Sequence, residues 1–163
     1  MTLWEAVQKV ACTICQTAKA KVKPPDPKPL ISVSTLGKEA VRTLVHEADI
    51  KILYGMLDKK YYYTTFEDWG KVFEYIYMVE DIPPYLTQRW DCEDFALWLK
   101  AMVSFHFGLN LFAVIIGDVP AGRHGFNMFY CEDGWYLWEP QWVYEGEPFR
   151  IGDRDYKPLF ALL

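Results

Sequence analysis

At 163 residues, with 52% hydrophobic and 24% charged side chains, the chain suits a single hydrophobic core, which excludes wholesale disorder. Its 17 Lys and Arg against 22 Asp and Glu leave a formal charge of -5 with the basic residues scattered, so a nucleic acid partner is not expected. No apolar run reaches the roughly 18 residues of a membrane-spanning helix, Glu5 and Lys9 interrupt any export core, and four dispersed cysteines (Cys12, Cys15, Cys92, Cys131) read as reduced thiols in a cytoplasm-like compartment.

Trp4, Val7, Val10, Ala11, Ile14 and Ala18 fall at helical spacing and predict a helix over 3–22, read as an arm over residues 1–23 that contacts a protein partner. The prolines at 24, 25, 27 and 29 make residues 24–33 a stiff spacer, which leaves 34–163 as the main domain. The stripe Leu36, Val41, Leu44, Val45, Ala48, Ile52, Met56 predicts one long amphipathic helix starting after Ser34 or Thr35. Thr65 with Asp68 resembles a capping box before a second helix through Trp69, Phe73 and Tyr77, which Pro83 and Pro84 stop. A third runs from near Asp91 through Phe95, Leu99 and Val103 to Gly108, the residue type favoured just past a helix end. Leu111–Gly117 reads as a buried strand, and 124–130 with 135–139 as a hairpin around residues 131–134. Helices followed by a small antiparallel sheet is an α+β order.

Cys92 stands at a helix N-terminus, where unpaired N–H groups and the helix dipole favour a thiolate; Asp91, Glu93 and Asp94 oppose this, so a cation is needed to bring the thiol below its usual value of about 8.5. His124, at the start of a strand, is the candidate for a thiolate–imidazolium pair. With residues 131–134 as the loop, His124 opposes Gln141 and Phe126 opposes Glu139. Glu139 is then a diagonal neighbour of His124, at roughly 7–8 Å between Cα atoms, and is the first choice to orient the imidazole, with Gln141 second. Gln88, or Trp90, is the candidate oxyanion donor beside the Cys92 N–H. Cys12 and Cys15 have the spacing of half a zinc site but lack a second pair, and Asp91, Glu93 and Asp94 diverge along the helix, so no metal and no cofactor is expected.

Together, Asp91-Cys92-Glu93-Asp94-Phe95-Ala96, the Val-Ile strand, His124-Gly125-Phe126-Asn127 and Gly134-Trp135-Tyr136-Leu137-Trp138-Glu139-Pro140 resemble the transglutaminase-like cysteine enzyme superfamily, and its bacterial cysteine-peptidase branch most. The resemblance covers about residues 85–141. It implies a papain-like α+β core with Cys92 as nucleophile, His124 as base and Glu139 where the family usually has Asp. Two functions follow as expectations. One is a cysteine-dependent amide hydrolase, a peptidase or amidase working through a thioester, with transglutamination as a variant and a peptide, protein amide or cell-wall peptide as substrate. The other is a non-catalytic binding module, of phage, virion or cell-wall assembly type, using a surface of Trp135, Trp138, Trp142 and Tyr144.

Overall fold

The computed structural model describes residues 27–82, 84–141 and 146–163. The expected helix over 3–22, the Cys12 and Cys15 pair, Pro83, Trp142 and Tyr144 lie outside the described residues.

In chain order the elements are β1 (Ser34–Gly37), α1 (Lys38–Glu47), β2 (Lys51–Ile52), β3 (Lys60–Tyr63), α2 (Phe66–Val79), α3 (Cys92–Phe107), β4 (Phe112–Val119), β5 (Gly122–Cys131), β6 (Gly134–Trp138), β7 (Phe149–Arg150) and β8 (Lys157–Leu162). Six strands form one sheet in the order β2-β8-β4-β5-β6-β7, and β1 pairs with β3 in a second, two-stranded sheet. All neighbours are antiparallel except β2 and β8, which run parallel, so the sheet is mixed. This corrects the expectation of helices followed by a small antiparallel sheet. Strands precede and interrupt the helices because Ser34–Gly37, Lys51–Ile52 and Lys60–Tyr63 each pair with a segment distant in sequence, which no local periodicity reports.

The long helix expected to Met56 ends at Glu47. Its apolar stripe buries Val41 and Val45 fully, each contributing about 1.5–3 kcal/mol. Asp49 then turns into the left-handed region at φ 58°, and Ile50 and Met56 reach the same core from non-helical backbone. At α2, the Thr65 hydroxyl accepts the Asp68 N–H at 3.2 Å as an N-cap. The Asp68 carboxylate does not complete a capping box; it accepts the Ser32 N–H at 2.8 Å and Lys71 Nζ at 2.7 Å, fastening the entry segment to the helix. In α3 the box is complete, with the Asp94 carboxylate accepting the Asp91 N–H at 3.3 Å, and Gly108 ends the helix at φ 66°.

The strand period of two sorts the core into two layers. Phe112, Phe129, Cys131, Tyr136 and Trp138 face α2 and α3, packing on Trp69, Val72, Phe73, Ile76, Leu99 and Val103. Ala113, Ile115, Phe126, Met128, Leu137 and Ala161 face the other way, against Val41 and Val45 of α1 and Tyr61 of β3. A two-residue turn, Glu132–Asp133, joins β5 to β6, with Cys131 opposite Gly134 and Asn127 opposite Trp138. Carried one pair further, this register sets Glu139 across from Phe126. Asn127 is fully buried and fastens α3 to the sheet, its amide donating to the Ala96 carbonyl at 2.9 Å and the Ala113 carbonyl at 3.2 Å.

Candidate functional site

The β5–β6 register carries Glu139 to the His124 ring, whose Nε2 lies 2.9 and 3.1 Å from the two carboxylate oxygens. Glu139 is buried, at 3% exposure, while the His124 ring is partly open to solvent. With Nε2 committed to the carboxylate, Nδ1 is the remaining ring nitrogen. Gln141 Nε2 sits 3.4 Å from Glu139 Oε2 and 3.4 Å from His124 Nε2, at the margin of the pair. Burial, together with the charge and hydrogen bond of nearby Glu139, pushes the Tyr156 phenol up to about 12.

Cys92 opens α3 and is half-buried. Its S–H donates to Glu93 Oε2 at 3.2 Å, and its sulfur accepts the Gly125 N–H at 3.3 Å. The thiol's hydrogen bonds run to a carboxylate and to the backbone of the residue after His124, and not to the imidazole itself. The expected acidification is reversed. Burial raises the thiol above its ordinary value; the Gly125 N–H opposes this, while the hydrogen bond and charge of Glu93 and the charge of Asp91 add to it.

Gly125 makes this approach possible. A Cβ there would stand 2.8 Å from Glu93 Cα, 2.9 Å from Glu93 N and 3.2 Å from the Cys92 carbonyl carbon, all backbone atoms. Upstream, Leu86 and Trp90 bridge across a tight loop with Gln88 at its tip in the left-handed region, φ 59°. Gln88 is exposed, and its N–H is held by the Asp91 carboxylate at 2.8 Å. The Trp90 ring packs edge-on against Phe95, with its Nε1 buried and without a hydrogen-bond partner. Ligand atoms of Asp91, Cys92 and Glu93 lie within 4.8 Å of one another, so of the three acids expected to diverge Asp91 and Glu93 come together, with Cys92 rather than Asp94 as the third member. Hydrogen bonds from Gln88 and from Cys92 already engage the two carboxylates.

A second feature was not foreseen. Between α2 and the end of β6 lies a cavity of about 450 Å³ walled by Phe73, Tyr77, Met78, Trp138 and Pro148, with Gly70, Glu74, Gly146 and Glu147 completing its lining. The Phe73 and Trp138 rings stack at 4.7 Å and 11°. Trp138 Nε1 donates to the Tyr77 hydroxyl at 3.2 Å, which donates in turn to the Pro140 carbonyl at 3.1 Å, so the aromatic wall is pinned. The sequence carried half a signal: 70, 73, 74, 77 and 78 recur on one helix face, but only the fold brings Trp138 and Glu147 to them. Of the proposed aromatic surface, Trp138 is 6% exposed and serves as a wall, and Trp135 packs against the opposite core layer.

No family model matches the chain, and no curated protein matches it. Solved structures do. One titled "PSL1a-E64 complex" matches at TM-score 0.61 with 21% identity, covering 79% of this chain and 51% of that one. A crystal structure of Polyporus squamosus lectin bound to the human-type influenza-binding epitope Neu5Aca2-6Galb1-4GlcNAc matches at TM-score 0.59 with 23% identity, covering 79% and 49%. The chain thus spans about half the length of these structures and shares their fold over that part. These findings correct the sequence reading. The superfamily assignment and its papain-like fold class are overturned by the solved structures that match, of which the one titled by its protein is a lectin and not a transglutaminase-like enzyme. The amide-hydrolase function and the peptide substrate, which rested on that assignment, fall with it. Among the described residues, no helix is long and apolar enough to cross a membrane.

Proposed function

We propose that the chain is a binding module whose aromatic cleft between α2 and β6 takes a carbohydrate. The observation that carries this is the cleft itself, lined by the apolar side chains of Phe73, Tyr77, Trp138 and Pro148 together with Glu74 and Glu147. A pyranose presents an apolar C–H face and a rim of hydroxyl donors, and such a wall complements both. The pinning of Tyr77 and Trp138 supports the reading because a preorganised wall loses little rotamer freedom on binding. The lectin likeness supports it at the level of fold. Tryptophan fluorescence titrated with a panel of oligosaccharides tests it. Binding that disappears in Gly70→Leu, whose added side chain enters open space in the cleft, is the expected result; a parent that binds no member of the panel refutes it.

A second reading rests on the part-buried His124–Glu139 pair. We propose that Cys92 is the addressable one of the two described thiols, with His124 Nδ1 as its proton acceptor, Glu139 as the anchor of Nε2–H, Gln141 donating to Glu139, and Trp90 Nε1 ahead of Gln88 as a nearby donor. Cys131 is the internal standard: burial and Asp133 push its thiol up to about 12. Alkylation followed by mass spectrometry should label Cys92 well before Cys131, and more slowly in His124→Ala; equal labelling of the two thiols refutes the assignment.

A further inference from the structure

The polar inventory of the cleft is one-sided. Trp138 Nε1–H is spent on Tyr77, and the Tyr77 hydroxyl proton on Pro140. Burial raises the Tyr77 phenol well above its ordinary value, so it adds no charge. Phe73, Met78, Pro148 and the two glycines offer no side-chain donor, and the described lining contains no Lys, Arg or His. Lys71, on the same helix, is engaged by Glu67 at 3.0 Å and Asp68 at 2.7 Å. Among the described side chains, what remains to meet a ligand is an aromatic wall and two carboxylates that only accept hydrogen bonds.

Such a site discriminates by charge. An anionic sugar brings acceptors to acceptors and like charge to Glu74 and Glu147. A neutral sugar donates hydroxyls but gains no charge interaction. A protonated amine on the ring donates and is attracted by both carboxylates, and it gains further from an aromatic face.

We propose that the cleft selects a cationic amino sugar over neutral and anionic sugars, an inference that rests on the carbohydrate reading above. Because both carboxylates are solvent-exposed, the preference is modest, about tenfold in affinity.

The test titrates the full chain with three probes at about pH 6 and low salt: a glucosamine trimer, its N-acetylated counterpart of the same length, and a sialylated trisaccharide. The glucosamine trimer should bind about tenfold tighter than the acetylated one. Added salt should shrink the gap, since exposed charges are screened. The sialylated probe should bind weakest. In a Glu74→Gln, Glu147→Gln double variant, the ratio of glucosamine to acetylated affinity should fall to about one, whatever happens to the acetylated affinity itself. Equal affinities, or tighter binding of the acetylated or sialylated probe, overturn the charge preference while leaving carbohydrate binding intact. A preference that survives the double variant overturns it too, since the attraction then belongs to the net charge of the whole chain. Failure of all three probes removes both this inference and the reading beneath it.

Discussion

Gly125 is where the helix–sheet junction can be tested by one methyl group. Gly125→Ala sets a Cβ 2.8 and 2.9 Å from Glu93 Cα and N and 3.2 Å from the Cys92 carbonyl carbon. None of these is the movable end of a side chain, so either the α3 N-terminus or β5 must shift. Overpacking of this kind costs about 1–3 kcal/mol, and rigid backbone neighbours put this case in the upper part of that range. For a chain of this length each kcal/mol corresponds to about 2–4 °C, so the variant should melt roughly 4–12 °C below the parent. The Gly125 N–H to Cys92 contact at 3.3 Å should lengthen in the same step, changing the alkylation rate of that thiol. Gly70→Ala is the control: nothing lies within 4 Å of its added Cβ and it sits inside a helix, so it should gain about 0.5–1 kcal/mol. Thermal unfolding followed by circular dichroism reads both. A Gly125→Ala protein that melts with the parent would show that α3 does not approach β5 as described.

Two further outcomes follow from charge placement. Glu93→Gln removes a charge that raises the Cys92 thiol, so alkylation at neutral pH should become several-fold faster; an unchanged rate would mean that Glu93 does not govern this thiol. Asp68 is held below the ordinary carboxylate value, chiefly by Lys71 and then by the Ser32 N–H, with burial opposing. Its contribution is therefore present above about pH 4 and lost as pH falls through the lowered folded value. Asp68→Asn should cost about 1–2 kcal/mol at neutral pH in urea unfolding and almost nothing in strong acid, whereas a gap constant with pH would contradict the assignment.

The parts of this fold legible in sequence are those decided by neighbours in the chain. Asp91, Asp94 and Gly108 mark both ends of α3 because caps are local chemistry, and the Glu132–Asp133 turn sets a register that reaches from Gly134 to Glu139. The missing parts are decided at a distance. Residues 50–56 carry apolar side chains at helical spacing, yet Asp49 reverses the chain and Lys51–Ile52 is claimed by β8. The same distinction applies at the candidate sites. Period-two reasoning brings Glu139 to His124, but no spacing rule reveals that Glu93 turns back onto the thiol of its neighbour, or that α2 and residues 146–148 enclose a cleft with the end of β6.

The position of β8 bears on how the protein is made. Lys157–Leu162 is synthesised after every other described strand, yet it lies inside the sheet, between β2 and β4. Until it arrives, β4 presents the backbone of Val114, Ile115 and Ile116 along an open edge, a template for pairing with another nascent chain. Soluble yield is then a race between insertion of this strand and association of unfinished chains. Slower synthesis past β4 lengthens that exposure, and a translation stop shortly before Lys157 should leave an aggregating product rather than a trimmed domain.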